Sequence, residues 1–245
     1  LLNMPRLYCD LDLTSGDVVS LPAGAARHVQ VLRLQPGDAL TLFNGRSGEF
    51  DATIEHMGRQ EVRVRVGHHH AIEREAPVTV HLVVGMPANE RMDWLVEKAT
   101  ELGVQRLTPL MTERSVLRLQ GERAEKKRAH WHSVVVAASE QCGRNRLMTI
   151  DPVCTLAQWL RDLNPAELQV RAVLSLAPSA SPLGAVLTPP HTATPWVLVS
   201  GPEGGLSAEE ESLLIGRGLL PVSLGSRVLR AETAAIAAVT RLVVA

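Results

Sequence analysis

Trp196-Val-Leu-Val-Ser200, Gly201-Pro-Glu-Gly-Gly205 and Leu206-Ser-Ala-Glu-Glu-Glu211 follow one another without a break. The first is a short apolar run rich in β-branched residues, the composition of a strand covered on both faces. The second carries three glycines in five residues, which lets a backbone turn sharply and approach a ligand closely. In the third, Ser207 followed by Glu210 makes a capping box, so a helix is expected to start at Ala208. A glycine loop ahead of a helix invites a phosphate. Here Glu209, Glu210 and Glu211 already stand where the helix dipole would hold an anion. Neither G-x-G-x-x-G nor G-x-x-x-x-G-K-[ST] occurs in the chain. The loop suits a ligand held by backbone amides and carbonyls, without phosphates. Taken alone, it fits an ordinary tight turn between strand and helix equally well.

Leu219-Leu-Pro-Val-Ser-Leu224 is a second strand-like run, followed by Gly225-Ser-Arg-Val-Leu-Arg230 and an alanine-rich helix over residues 231–245. Two glycine-bearing strand ends about twenty residues apart can line one crevice at the carboxyl edge of a parallel sheet. Together, G-P-E-G-G-L-S and L-G-S-R-V-L-R-A-E-T-A resemble the SPOUT class of RNA methyltransferases. More narrowly, they resemble the ribosomal RNA small subunit methyltransferase E family, which methylates N3 of a uridine in 16S ribosomal RNA using S-adenosylmethionine (SAM). The resemblance runs from Pro5 to about Arg241. It takes in Pro5-Arg6-Leu7-Tyr8, His28 with Val31-Leu32-Arg33, Gly37-Asp38, Glu113-Arg114-Ser115, and Glu140-Gln141 with Gly143-Arg144. Ser226 stands where that family usually has proline, Leu147-Met148 replaces a common Val-Pro, and Ala88 replaces a frequent lysine.

At 245 residues and 45% hydrophobic composition, the chain can bury a sizeable core in one or two domains. A net charge of −1 excludes a global basic field, so any RNA site must be a local patch. Cys9, Cys142 and Cys154 are odd in number and widely spaced, matching neither a disulfide framework nor a zinc pattern. With no apolar run long enough to span a membrane and no signal-peptide core, a cytoplasmic protein is expected.

Residues 1–74 read as mostly β, with strands expected over 6–9, 17–21, 39–43, 49–54 and 61–66 and one short helix over 24–34. Pro36-Gly37-Asp38, Asn44-Gly45 and Met57-Gly58 supply turns. Five short strands with tight turns imply a small barrel, and the resemblance makes it a PUA-like RNA-binding barrel. His68-His69-His70 reads as a solvated linker, since three adjacent side chains point in different directions and cannot easily share a metal. Charged residues and a proline put the domain boundary in residues 71–77.

From residue 75 the pattern becomes α/β. Strands are expected over 78–86, 104–110, 168–176, 196–200 and 219–224, with helices over 90–102, 122–141, 156–163, 208 onward and 231–245. Asn89 is expected to cap the first helix and Gly103 to close it. Alternating strand and helix argues for a parallel sheet. The resemblance adds a SPOUT methyltransferase domain over residues 75–245, with a trefoil knot that periodicity would not reveal.

Between Arg106 and Arg146 nine basic residues face four acidic ones, the most basic stretch of the chain. Gln141-Cys142-Gly143-Arg144-Asn145-Arg146 sets a glutamine, an asparagine and two arginines at a helix end, groups able to read bases and hold phosphates. For Arg123–Arg128 a solvated helix face is an equal reading.

The resemblance implies a SAM site formed by Leu176, Gly201, Pro202, Glu203, Gly204, Gly205, Leu224, Gly225, Val228, Leu229 and Arg230. It implies RNA contacts from Arg6, His28, Arg33, Arg114, Gln141, Arg144, Asn145 and Arg146. It also implies a homodimer, and the wide apolar spread of the final helix is compatible either with one or with burial inside the monomer. Uracil N3 must lose a proton, and the developing anion spreads over O2 and O4. Arg230 is expected to stabilise that charge. No histidine lies in either loop, so Glu203 or Glu232 are the candidate bases, with a structural role at a helix turn the stronger reading for each. No metal site is expected. A non-catalytic RNA-binding protein, or an enzyme acting on another RNA such as transfer RNA, remain the alternatives.

Overall fold

Phe50-Asp-Ala-Thr-Ile-Glu55 and Val62-Arg-Val-Arg-Val66 alternate apolar and polar residues, and both become strands with alternate side chains buried. The computed structural model describes residues 4–46, 48–59, 61–164, 166–187 and 194–244. The chain divides into two units, Leu1–Glu75 with Val136–Leu147, and Ala76–Val135 with Met148–Ala245.

The first unit holds β1 (Arg6–Tyr8), β2 (Val18–Ser20), α1 (Ala23–Val31), β3 (Ala39–Phe43), β4 (Glu49–Met57) and β5 (Val62–His70). They form the mixed sheet of a PUA-like domain, in the order β1-β3-β4-β5-β2. β1 pairs with β3 in parallel and the other pairs are antiparallel. Its core is built from Leu7, Val29, Leu40, Leu42, Ile54 and Val64, with their neighbours. The expected histidine linker is strand instead. Phe50 pairs with His69 and Glu49 with His70, so the triplet continues the β4–β5 hairpin. The ring of His69 lies 4.5 Å from that of Phe50, and His70 Nε2 is 2.9 Å from Asp51 Oδ2. These cross-strand partners, supplied some twenty residues earlier, are what a linker reading of the triplet alone leaves out.

The second unit opens with β6 (Val80–Gly85), α2 (Asn89–Glu101), β7 (Arg106–Met111) and α3 (Gly121–Cys142), whose last turns belong to the first unit. Next come β8 (Thr149–Ile150), β9 (Cys154–Thr155), α4 (Leu156–Asp162), β10 (Val170–Leu174), β11 (Ser181–Pro182) and α5 (Leu183–Val186). The chain then forms β12 (Trp196–Ser200), α6 (Ala208–Gly216), β13 (Leu220–Ser223) and α7 (Ala231–Val243). All pairings of this sheet are parallel, in the order β11-β13-β10-β12-β6-β7-β8, with β9 beside β7. Every residue of β12 is buried, as its unbroken apolar run requires. One face packs on Trp159, Leu160 and Leu214 from α4 and α6. α7 packs against β6, β12 and α2.

β13 lies between β10 and β11, which are consecutive in the chain, and the chain then returns to lay α7 against β6 and β12. The order reverses around β10 and β12, so successive strands are not neighbours at this edge. α6 starts at Ala208 and carries both bonds of the expected capping box. At α2 the expectation fails. Ala88 holds the N-cap position and Asn89 is the first helical residue; the side chain of Asn89 lies outside what is described. Gly103, at φ 85°, closes that helix as expected. The last residue of the expected final helix, Ala245, lies outside the described residues.

An ion cluster ties Val136–Leu147 into the first unit. Arg6 donates to Glu49 and, through Nη2, to Asn145 Oδ1 at 2.7 Å. Arg74 Nη1 donates at 2.9 Å both to Glu49 Oε2 and to the Gly143 carbonyl. Arg144 forks onto Glu75, with Nε 3.1 Å from Oε1 and Nη2 2.6 Å from Oε2. Glu140 Oε1 accepts the Tyr8 N–H at 2.9 Å, and its Oε2 lies 3.3 Å from His28 Nδ1. Burial pushes the Glu140 carboxyl up, against the pull of the Tyr8 amide and His28. Burial also acts to raise Glu49, but hydrogen bonds from Arg74 and Arg6 outweigh it and hold its carboxyl down at about 2, against the ordinary 4.5.

The depressed value fixes the direction of a pH effect. Glu49 contributes stability that is fully present above pH 4.5 and is lost as pH falls toward 2. Glu49→Gln should cost about 3–5 kcal/mol at neutral pH, because it leaves Arg6 buried without its counter-charge. The gap between variant and parent should close as pH falls from 4.5 to 2. Urea melts of both proteins across that range check this, and a constant gap would remove Glu49 from the cluster's energetics.

Candidate cofactor site

In a parallel sheet all carboxyl ends share one edge, and open α/β sheets bind ligands there. The loops after β7, β10, β12 and β13 meet at that edge around a cavity of about 290 Å³. Arg114 comes from the first, Ser175 and Leu176 from the second, and Gly201–Leu206 from the third. The last supplies Leu224, Gly225, Arg227, Val228 and Leu229, and Glu211, Ala231 and Ala234 complete the wall. The cavity therefore gathers the residues expected to hold SAM, except Arg230. Arg230 is the N-cap residue of α7 and is exposed.

Two positions of the first glycine loop leave little room for a side chain. A Cβ on Gly201 would stand 2.8 Å from the Leu206 amide nitrogen, and one on Gly204 would stand 3.0 Å from Arg114 Cβ. Gly85, at the end of β6, lies beneath the same loop. A Cβ there would stand 2.5 Å from Pro202 Cδ and 2.7 Å from its nitrogen.

Three charged side chains fix the loop from outside. Glu203 Oε1 accepts the Ala88 N–H at 2.8 Å and lies 3.2 Å from Arg91 Nη1, so it caps α2 from another segment. This is a positioning role, the stronger of the two readings the sequence offers for Glu203. Glu210 Oε2 accepts from Ser207 N–H at 3.0 Å, while its Oε1 accepts from Glu113 N–H at 2.8 Å. Arg114 Nη1 donates to the Gly204 and Leu206 carbonyls, at 3.1 and 3.3 Å. Arg114, expected to contact RNA, is thus a strut of the glycine loop. Within the cavity wall, Ser175 Oγ is hydrogen-bonded to Glu211. Glu232, the other candidate base, lies 3.9 Å from Arg91 Nε and does not line the cavity.

The expected RNA residues fall into two sets. Arg144 and Asn145 are 2% and 0% exposed, and with Arg6 they belong to the ion cluster. His28 is half-buried beside Glu140. Burial takes Arg6, Arg144 and Asn145 out of reach of RNA, which corrects the expectation for those three, while the His28 side chain stays 43% exposed. Arg33 and Gln141 are exposed, and Arg146 is largely exposed beside Glu73 at 3.4 Å. On α3, Lys126 pairs with Glu122 and Arg128 with Glu125, as on a solvated helix face. Sequence reading missed Gly85, Ser175 and Glu211. Of these only Gly85 carried a signal, as a glycine ending a β-branched run. Among the described residues no helix is long and apolar enough to cross a membrane, and no cluster of metal-ligating side chains occurs.

Family models match over residues 74–243, as an RNA methyltransferase domain, and over residues 21–67, as an RNA methyltransferase PUA domain. The ribosomal RNA small subunit methyltransferase E of Buchnera aphidicola is 31% identical, over 98% of this chain and 96% of its own length. That of Bacillus subtilis is 28% identical, over 97% and 95%. A putative methyltransferase from Legionella pneumophila, solved with bound SAM, superposes with a TM-score of 0.89 at 38% identity, covering 98% of this chain and 97% of its own. The Neisseria gonorrhoeae ribosomal RNA small subunit methyltransferase E, also bound to SAM, gives 0.89 at 31% identity with the same coverage.

Gly85→Ala tests the steric reading of the cavity. The added methyl must displace Pro202, and SAM affinity measured by calorimetry should fall about tenfold or more, an effect of roughly 1.4 kcal/mol. The clash should lower the melting temperature as well, and unchanged SAM affinity in the folded variant would detach Gly85 from the site. With two domain models, full-length relatives and solved neighbours in agreement, the chain belongs to the ribosomal RNA small subunit methyltransferase E family.

Proposed function

We propose that the chain methylates N3 of a uridine in 16S ribosomal RNA, with SAM as methyl donor bound in the cavity at the sheet's carboxyl edge. The observation that carries this reading is a cavity at the carboxyl edge built from two glycine-bearing loops, the first folded so tightly that a Cβ on Gly201 would collide with the Leu206 amide. SAM supplies an electrophilic methyl group on a sulfonium. Backbone of the Gly201–Leu206 and Leu224–Leu229 loops orients it, and the Ser175–Glu211 pair presents an anionic group suited to a cationic ligand. Orientation of two reactants is the main contribution asked of the protein, worth up to about 7–11 kcal/mol in favourable cases.

Arg230 follows Leu229, which lines the cavity, and its guanidinium has no hydrogen bond or ion pair to the described residues. That leaves it available to meet the charge developing on uracil O2 and O4. With Glu203 engaged at α2, the N3 proton passes to solvent. On the RNA side, exposed Arg33, Gln141 and Arg146 are the contacts this reading retains.

A homodimer belongs to the same proposal, on different grounds from those the sequence offered. In α7, Val239, Leu242 and Val243 are buried within their own unit, so that helix alone calls for no partner. An adjoining groove of about 680 Å³ shares Leu224, Gly225, Arg227 and Leu229 with the cofactor cavity and adds Leu183, Ala237, Thr240 and Arg241, a surface on which a partner could pack beside the site. Light scattering that finds a fully active monomer would reject it.

Arg230→Ala should lower the methylation rate by about 2.7–4 kcal/mol of barrier while SAM and RNA affinities change little, the mark of an interaction formed in the transition state. Equal losses in binding and turnover would make Arg230 an RNA anchor. Mass-spectrometric mapping of methylated uridine in ribosomal RNA from cells lacking the protein tests the reaction itself.

A further inference from the structure

The methyl donor and the product left after transfer differ by one charge. When the methyl group passes to uracil N3, the bonding pair of the sulfur–methyl bond stays on sulfur, and the sulfonium becomes a neutral thioether. The N3 proton leaves to solvent, and the rest of S-adenosylhomocysteine (SAH) is identical to SAM. A cavity that gripped only the shared parts would hold donor and product alike and be inhibited by its own product. Something in the wall must sense the charge if the two are to be told apart.

Four charged side chains line the cavity: Arg114, Glu203, Glu211 and Arg227. Arg114 is engaged by the Gly204 and Leu206 carbonyls, Glu203 by the Ala88 amide and Arg91, and Arg227 is exposed. Glu211 is different. It is half-buried, its hydrogen bond is to the neutral Ser175 hydroxyl, and no cation among the described residues lies in ion-pair range of it.

Ser175 holds that carboxylate in a fixed place. The residue is 7% exposed, its N–H donates to the Val222 carbonyl at 2.9 Å, and its hydroxyl oxygen accepts the Ala177 N–H at 3.0 Å. The single hydrogen of the hydroxyl is thereby left for Glu211. Helix capping does not explain the acid. Ser207 and Glu210 already close the start of α6, and Glu209 adds charge to its first turn. A half-buried anion facing no counter-charge is costly until a cation arrives.

We infer that Glu211 sets the preference of this cavity for the charged donor over its neutral product. The carboxylate, tethered by Ser175, meets the sulfonium, and the attraction ends when the methyl group leaves. One side chain thus favours both the entry of donor and the release of product. The inference rests on the reading that SAM is bound here as methyl donor.

The test compares the full chain with its Glu211→Gln and Ser175→Ala variants by calorimetry. The probes are SAM, SAH and sinefungin, in which a protonated amine stands in place of the methylsulfonium. Glu211→Gln keeps the shape of the side chain and removes its charge. It should weaken SAM and sinefungin about tenfold and SAH by less than about twofold. Ser175→Ala leaves the carboxylate untethered and should lower the ratio of SAM to SAH affinity by about threefold. Thermal melting reports whether each variant is folded, and if Glu211→Gln is not, the ratio in Ser175→Ala decides. Equal weakening of SAM and SAH in Glu211→Gln would overturn the inference and assign the carboxylate to a part the two share, the ribose or the amino-acid ammonium. Unchanged affinities would overturn it too, as would a loss for SAM that sinefungin does not share. If the parent protein binds none of the three ligands, the SAM reading itself fails; if the parent binds SAM and the ratio is unmoved, only the role of Glu211 fails.

Discussion

The distance between Gly85 and Pro202 constrains the whole carboxyl edge of the sheet. β6 and β12 are hydrogen-bonded neighbours, so the chain leaving Ser200 must cross the end of β6. It does so in contact: a Cβ at Gly85 would fall 2.5 Å from Pro202 Cδ. Because the loop is pressed down on β6, Gly201 must fold back on Leu206, where a Cβ would again collide. The cavity above is what that compressed loop leaves between itself and the loop after β13. Its shape is thus set by close-packed backbone in a core with little room to give.

A loop with so few side chains cannot hold itself, and the chain holds it from neighbouring loops. Ala88 offers no side-chain cap to α2, and Glu203 supplies one. Glu210 uses one oxygen to close its own capping box and the other to bind the loop after β7. Arg114 returns from that loop to two carbonyls of the glycine segment. Each contact joins a charged side chain to a backbone group, the stronger kind of hydrogen bond. Segments following β6, β7 and β12 are thereby fixed to one another before any ligand arrives, which is the preorganisation that binding and catalysis require.

What could be read from the sequence followed from local chemistry. The strand Trp196–Ser200 and the start of α6 at Ala208 are set by β-branching and by a capping box four residues long, and both stand where expected. The glycine loops and their common edge follow from parallel topology. What could not be read depends on partners far away in the chain. His68–His70 look like a linker until Glu49 and Phe50 are placed opposite them. For Glu203 a structural role is the stronger reading, but its partners Ala88 and Arg91 lie over a hundred residues away and cannot be named from sequence. Gln141–Arg146 has the composition of a base-reading loop, yet only the positions of Glu49, Glu75 and Ile72 decide that Arg144 and Asn145 point inward.

The same pairing changes what net charge says about a nucleic-acid surface. Over the N-terminal 76 residues acids outnumber basic residues, ten to eight, which argues against an RNA partner on its face. The acids are not distributed as the count implies. Glu49 faces both Arg6 and Arg74 and Glu75 faces Arg144 in the ion cluster, and Glu140, from the later segment, serves Tyr8 and His28. Asp12, Glu55 and Glu73 pair with Arg46, Arg65 and Arg146. A carboxylate held within bonding distance of a guanidinium cancels it at the range where a phosphate would approach, since beyond about 8–10 Å salt screens what remains. Arg27, Arg33 and Arg59 have no such carboxylate among the described residues. Asp10, Asp17, Asp38 and Glu61 likewise have no cation in ion-pair range among the described residues, so which charges of this unit remain free is decided by pairing and not by the total.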